Sequence, residues 1–103
     1  MKVQVHDSLD KFFDSLEFTT MAKVLRTVNL LETFGFGLRE PHSKKIKDNL
    51  FELRIRGSQE VRIFYTFFDS QIILLHGFVK KSQKTPIKEV RVALKKLQGL
   101  DSI

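Results

Sequence analysis

Apolar residues recur along this chain at two different periods, and the change of period divides it. Leu9, Phe12, Phe13 and Leu16 fall every three or four residues, which predicts a short helix N-capped by Asp7 or Ser8. Met21, Val24, Leu25, Val28, Leu31 and Phe34 repeat that spacing, opened by Thr19 or Thr20 and stopped by Gly35 and Gly37. Two helices joined by so few residues predict a helical hairpin sealed along one apolar face. Residues 38–49 are polar, interrupted by Pro41, and read as irregular.

Beyond that segment the period drops to two. Phe51, Leu53 and Ile55 alternate with Glu52, Arg54 and Arg56, the pattern of a half-buried strand. Gly57-Ser58-Gln59 turns the chain, and Val61, Ile63, Tyr65 and Phe67 alternate with Arg62, Phe64, Thr66 and Phe68 in the next strand. Asp69-Ser70 reads as a two-residue turn into a third strand over 72–78. Apolar residues on both faces of these strands call for cover on each. Thr85-Pro86 then opens a helix striped by Ile87, Val90, Leu94 and Leu97 and ended by Gly99. The expected architecture is α+β: an N-terminal helical hairpin on an antiparallel meander of three or four strands, then a C-terminal helix.

Length and composition narrow the function. A chain of 103 residues is one domain, 1–103, and cysteine is absent. That removes disulfide scaffolds, thiol nucleophiles and Cys-ligated metals, and fits a cytoplasmic protein. The apolar runs are too short to span a bilayer and the N-terminus has no apolar signal core, so neither membrane insertion nor secretion is expected. Charge is uneven. Residues 1–38 hold four basic and five acidic side chains, a net −1, whereas residues 39–103 hold fourteen and seven, a net +7. A basic part beside a near-neutral one points to a polyanion or an acidic protein as partner.

The candidate chemistry lies in that basic part. Arg54 and Arg56 share a strand face by parity, and Arg62 joins them if the register allows, which makes a surface suited to phosphate. The alternative is a solvated face where these arginines pair with Glu52 or Glu60. Lys80, Lys81 and Lys84 crowd a loop before a helix start, placed to hold a nucleic-acid backbone or simply to be solvated. His76, at a strand end beside them, could serve as general acid or base, or be structural. His6 and His42 read as surface residues, and Tyr65 as a core residue with its hydroxyl hydrogen-bonded. No Gly-rich phosphate loop, hydrolase elbow or metal-binding His pair occurs, so no cofactor and no metal are expected.

Three stretches carry a family resemblance. Asn-Leu-Phe-Glu-Leu-Arg-Ile (49–55), Val-Arg-Ile-Phe-Tyr (61–65) and Ile-Leu-Leu-His-Gly-Phe-Val-Lys-Lys-Ser-Gln-Lys-Thr-Pro (73–86), in that order, resemble the phage-derived HigB-like branch of the RelE/ParE toxin superfamily. The resemblance implies a RelE-like fold and the toxin of a type II toxin–antitoxin pair. Such a toxin is a metal-independent endoribonuclease acting on ribosome-bound mRNA; the alternative within the superfamily is a ParE-like, non-catalytic DNA gyrase inhibitor. It places Arg54 and Arg62 on phosphate charge, with His76 and Lys81 in proton transfer and Arg56, Lys80 and Lys84 on RNA. The implied partners are mRNA, the ribosome and a helix-turn-helix antitoxin through which alone operator DNA would be bound. Two departures are visible. The family's first strand has only Lys2-Val3-Gln4-Val5 available and is expected to be very short or missing, and Glu52 stands where relatives often carry a basic residue, leaving the general base open between Glu52, His76 and a lysine.

Overall fold

Strand formation begins earlier than the alternating pattern suggests. In the computed structural model, which describes residues 1–100, a five-stranded sheet forms in the order β1-β5-β4-β3-β2. Its strands are β1 (Val3–Val5), β2 (Ser43–Lys47), β3 (Leu50–Ile55), β4 (Val61–Phe68) and β5 (Gln71–Val79). The helices are α1 (Leu9–Asp14), α2 (Phe18–Phe34) and α3 (Ile87–Leu100). The expected domain of 1–103 runs three residues further, and residues 101–103 lie outside the described residues.

The antiparallel meander β2-β3-β4-β5 carries one strand more than the alternation picked out, and β1 adds a parallel edge beside β5. β2 falls within the segment expected to be irregular. Its lysines at 44, 45 and 47 are exposed along a sheet edge, where charge discourages pairing with another chain. Only Ser43 and Ile46 turn inward, too few to show a period of two. The Asp69-Ser70 turn joins β4 to β5 with φ of 53° and 61° at the two residues, positive at both as a type I′ hairpin requires.

The helical hairpin is replaced by separate docking. α1 rests on β5 and α2 on β3, both feeding a cluster with Leu9, Val24, Leu31, Leu53, Ile63, Tyr65 and Leu74 buried. Gly77 makes the approach of α1 possible: a Cβ there would stand 2.6 Å from a Phe12 ring carbon. Tyr65 is buried in this cluster with its hydroxyl 2.6 Å from Ser43 Oγ, and burial raises its pKa despite that bond. α3 covers part of the opposite face, packing Val90, Ala93, Leu94 and Leu97 around Phe64, Leu75 and Phe78. Its expected stripe loses Ile87, which is exposed, and the helix passes through Gly99 to Leu100 instead of stopping. The helix caps also differ. α2 starts from Glu17, with Thr19 and Thr20 inside it, and Thr85 sends its hydroxyl to Glu52.

Candidate nucleic-acid interface

The register brings Arg54 directly opposite Arg62 on the α3 side of the sheet, with Glu52 one pleat away. The two guanidiniums do converge there, but on a carboxylate. Arg54 Nε donates to Glu52 Oε1 at 3.1 Å, and Arg62 Nε lies 3.7 Å from the same oxygen. Thr85 Oγ1 donates to Glu52 Oε2 at 2.9 Å. Glu52 is 1% exposed and Arg62 3%, so this pair lies inside the protein rather than on a surface open to phosphate. Arg62 Nη1 reaches Glu60 Oε2 at 3.3 Å and the Val61 carbonyl at 3.1 Å, while its Nε has no hydrogen-bond partner. The free phosphate surface expected at Arg54 and Arg62 is therefore largely neutralised. The cause is the acidic residue at 52, whose parity forces it onto the arginines' face.

An open cationic cleft lies at the edge of this network. It has a volume of about 430 Å³ and is lined by Arg56, Glu60, Arg62, Lys80, Lys81, Ser82 and Gln83. The turn between β3 and β4 supplies Arg56 and Glu60, which pair at 3.7 Å, and the Lys80 N–H donates to the Glu60 carbonyl to fasten the loop after β5. Three arginines and two glutamates in the whole cluster leave one positive charge, to which Lys80 and Lys81 add two. Among the described residues Glu60 is the one carboxylate that lines this cleft, and sequence reasoning treated it only as a pairing partner. Its position inside a turn hid it, because turns carry no face parity. Lys84 is exposed on the same loop, its carbonyl accepting from Ser82 Oγ at 2.8 Å, but it does not line the cleft.

His76 is placed elsewhere. It pairs across the sheet with Phe64 and lies beside the near-parallel rings of Phe64 and Phe78 beneath α3. Nε2 is 3.2 Å from Glu89 Oε2, and Lys96 Nζ is 3.5 Å from Nδ1, so the neutral ring carries its proton on Nε2. Burial holds its pKa below the ordinary value, against the Glu89 hydrogen bond and with help from the Lys96 charge. Lys96 also donates to Ser8 Oγ at 2.6 Å, tying α3 to the start of α1, while Ser8, with helical backbone angles and a second bond to His6 Nδ1 at 2.8 Å, gives α1 no side-chain cap. This cluster fastens helices and does not face the lysine loop.

A wider groove of about 610 Å³ runs along Met1, Phe34, Phe36, Phe67 and Phe68. Its charged side chains are Glu32 and Asp69, both acidic, with the N-terminal ammonium of Met1 donating to the Glu32 carbonyl at 2.9 Å, so the groove offers phosphate no net positive charge. Among the described residues no three His, Asp or Glu side chains gather where a metal could be held.

Comparison with known proteins agrees with this architecture. The sequence matches the phage-derived protein Gp49-like family over residues 11–98. The chain belongs to that family. Within the Gp49-like fold, the match takes in the arginine network, the cleft and nearly all of α3. The structure is also similar to a chain of the archaeal RelE–RelB complex from Pyrococcus horikoshii OT3, with a TM-score of 0.53 and 22% identity over 82% of this chain and 97% of that one. At that identity the likeness establishes a RelE-like fold. No curated protein matches the Gp49-like chain. No described helix is long and apolar enough to cross a membrane.

Proposed function

We propose that this Gp49-like protein is the toxin of a type II toxin–antitoxin pair, of the HigB-like kind, and that it cleaves mRNA on the ribosome without a metal and so stops translation. The observation that carries this reading is the cleft itself, where one carboxylate, Glu60, faces Lys80 and Lys81 beside two arginines. That is the equipment for intramolecular cleavage of RNA, whose own 2′-hydroxyl is the nucleophile. Glu60 takes the 2′ proton as the 2′-O–P bond forms. Arg56, released from Glu60 by the incoming phosphate, stabilises the charge on the pentacoordinate phosphorus, and the buried Arg62 adds its positive charge from the cleft wall. Lys81 gives a proton to the 5′-oxygen as the P–O5′ bond breaks, leaving a 2′,3′-cyclic phosphate. Lys80 and Lys84 hold the flanking backbone. Arg54 is a positioning residue, since it fixes Glu52 and through it Arg62. His76 stands outside this chemistry.

The P. horikoshii RelE is found with RelB, and the partner proposed for this chain is a cognate antitoxin. A helix-turn-helix antitoxin would carry all recognition of operator DNA, the toxin having no part in it. The toxin would act in the cytoplasm.

Brief expression followed by genome-wide mapping of mRNA 5′ ends tests the proposal. New ends inside translated regions, in register with codons, are expected from the wild type and not from Glu60→Gln. Intact mRNA together with a DNA-damage response would overturn it in favour of a gyrase inhibitor.

A further inference from the structure

On the α2 side of Arg56 the sheet edge opens into a second cleft. Its volume is about 290 Å³, and its polar lining is Lys23, Arg26, Thr27, His42, Arg54 and Arg56. Among the described residues no acidic side chain lines it. Lys23 and Arg26 are three residues apart and so share a face of α2. The carboxylates of α2 sit at its two ends, Glu17 accepting from Ser58 Oγ at 2.8 Å and Glu32 lining the apolar groove. Among the described residues neither Lys23 nor Arg26 forms an ion pair, whereas Arg54, Arg56 and Arg62 all do. Lys23 Nζ instead donates to the Arg56 carbonyl at 3.4 Å, holding the arginine-bearing turn against the helix.

A cleft lined by one sign of charge focuses its potential into the gap and draws in counterions. Lys23 and Arg26 bring two cations without an ion pair to this cleft, beside Arg54 and Arg56 whose charges are met by Glu52 and Glu60, and an anion placed in the gap offsets that surplus. Arg56 lines both clefts, so the two adjoin at this residue just beyond the end of β3.

We infer that the Lys23–Arg26–His42 cleft is a second phosphate subsite, which takes a neighbouring phosphodiester of the same single-stranded RNA whose scissile phosphate lies in the Glu60 cleft. This deepens the proposed function and rests on it for the identity of the polyanion. The first cleft, with its carboxylate, does chemistry; the second, with none, supplies grip and direction.

The test uses the full chain and a single-stranded 2′-O-methyl oligoribonucleotide, which cannot be cut because its 2′-oxygens are blocked. Affinity is followed by fluorescence anisotropy against KCl concentration. For the Lys23→Ala/Arg26→Ala variant the slope of log K against log salt should become shallower by about 0.7 for each phosphate that the protein no longer neutralises. Arg26→Ala alone, an exposed helical position where alanine suits the backbone, should give about half of that change. Lys88→Ala/Arg91→Ala removes the same charge from α3 outside either cleft and should leave the slope unchanged. An unchanged slope in the Lys23→Ala/Arg26→Ala variant, an equal change in the α3 control, or no binding by the wild type would each overturn the inference. If mRNA is cut in cells while the slope stays put, the subsite falls and the nuclease reading stands. If the slope changes selectively while mRNA stays intact, the subsite stands and the nuclease reading falls.

Discussion

Two sets of cations sit a few residues apart on this sheet and do different work. Arg54 and Arg62 are drawn inward onto Glu52, with Thr85 closing the carboxylate's second oxygen. Lys80 and Lys81 stand around an open cleft with a single half-buried carboxylate, Glu60. The side chains are alike in charge and unlike in solvent. A buried ion pair is costly to desolvate and still costlier to break, so it holds strands, turn and α3 loop in one arrangement. Exposed cations contribute little to stability and remain available to a ligand. The comparison separates the residues that shape the cleft from those that would meet RNA inside it.

Breaking the inner set should have the largest effect. Glu52→Ala leaves two guanidiniums without their shared partner, and a loss of about 3–5 kcal/mol is expected from urea unfolding midpoints. A loss below about 1 kcal/mol would mean that water reaches Arg62 and that the network is not closed. A smaller effect is expected at His76. Burial lowers its folded-state pKa beneath the unfolded value of 6.5, so the unfolded chain takes up a proton first as pH falls. Stability linked to this group is constant above about pH 6.5, declines as pH drops from there towards the lowered value, and is level below it. Unfolding at about pH 7.5 and about pH 5 should therefore show a steeper acid loss in the wild type than in His76→Gln. Equal losses would place His76 in water. The smallest change belongs to the outer set: Lys80→Ala/Lys81→Ala should move stability by no more than about 0.5 kcal/mol while weakening RNA binding and flattening its salt dependence.

Much of this fold is legible from periodicity alone. The alternation in 51–56 put Arg54 and Arg56 on one face and left Arg62 to the register, which sets it opposite Arg54. β2 was hidden because an edge strand dressed in lysines has almost no apolar alternation. The hairpin of helices failed for a different reason. Periodicity says that a stripe will be buried but not against what, and a glycine on β5 let Phe12 dock onto the sheet. Thr85 misled in the same way, since a threonine before a proline is an ordinary helix opening until a buried carboxylate competes for its hydroxyl. The site was half visible. Lys80, Lys81, Arg56 and Arg62 line one cleft, whereas the extra residue that β5 carries near Leu75 and the cover of α3 put His76 in a different environment. Lys23 and Arg26 could not be read as neighbours of Arg56, because a turn and a helix far apart in sequence meet only once the sheet has formed.

The division between buried and open cations can be tested most directly on purified protein and ribosome-bound mRNA, reading the chemistry of any new 3′ ends. The wild type should produce ends closed as 2′,3′-cyclic phosphates, and Glu60→Gln, with an unchanged unfolding midpoint, should cut at least about 100-fold more slowly. Uncut mRNA with the wild type, or cleavage by Glu60→Gln at the wild-type rate, would contradict the assignment of catalysis to this cleft.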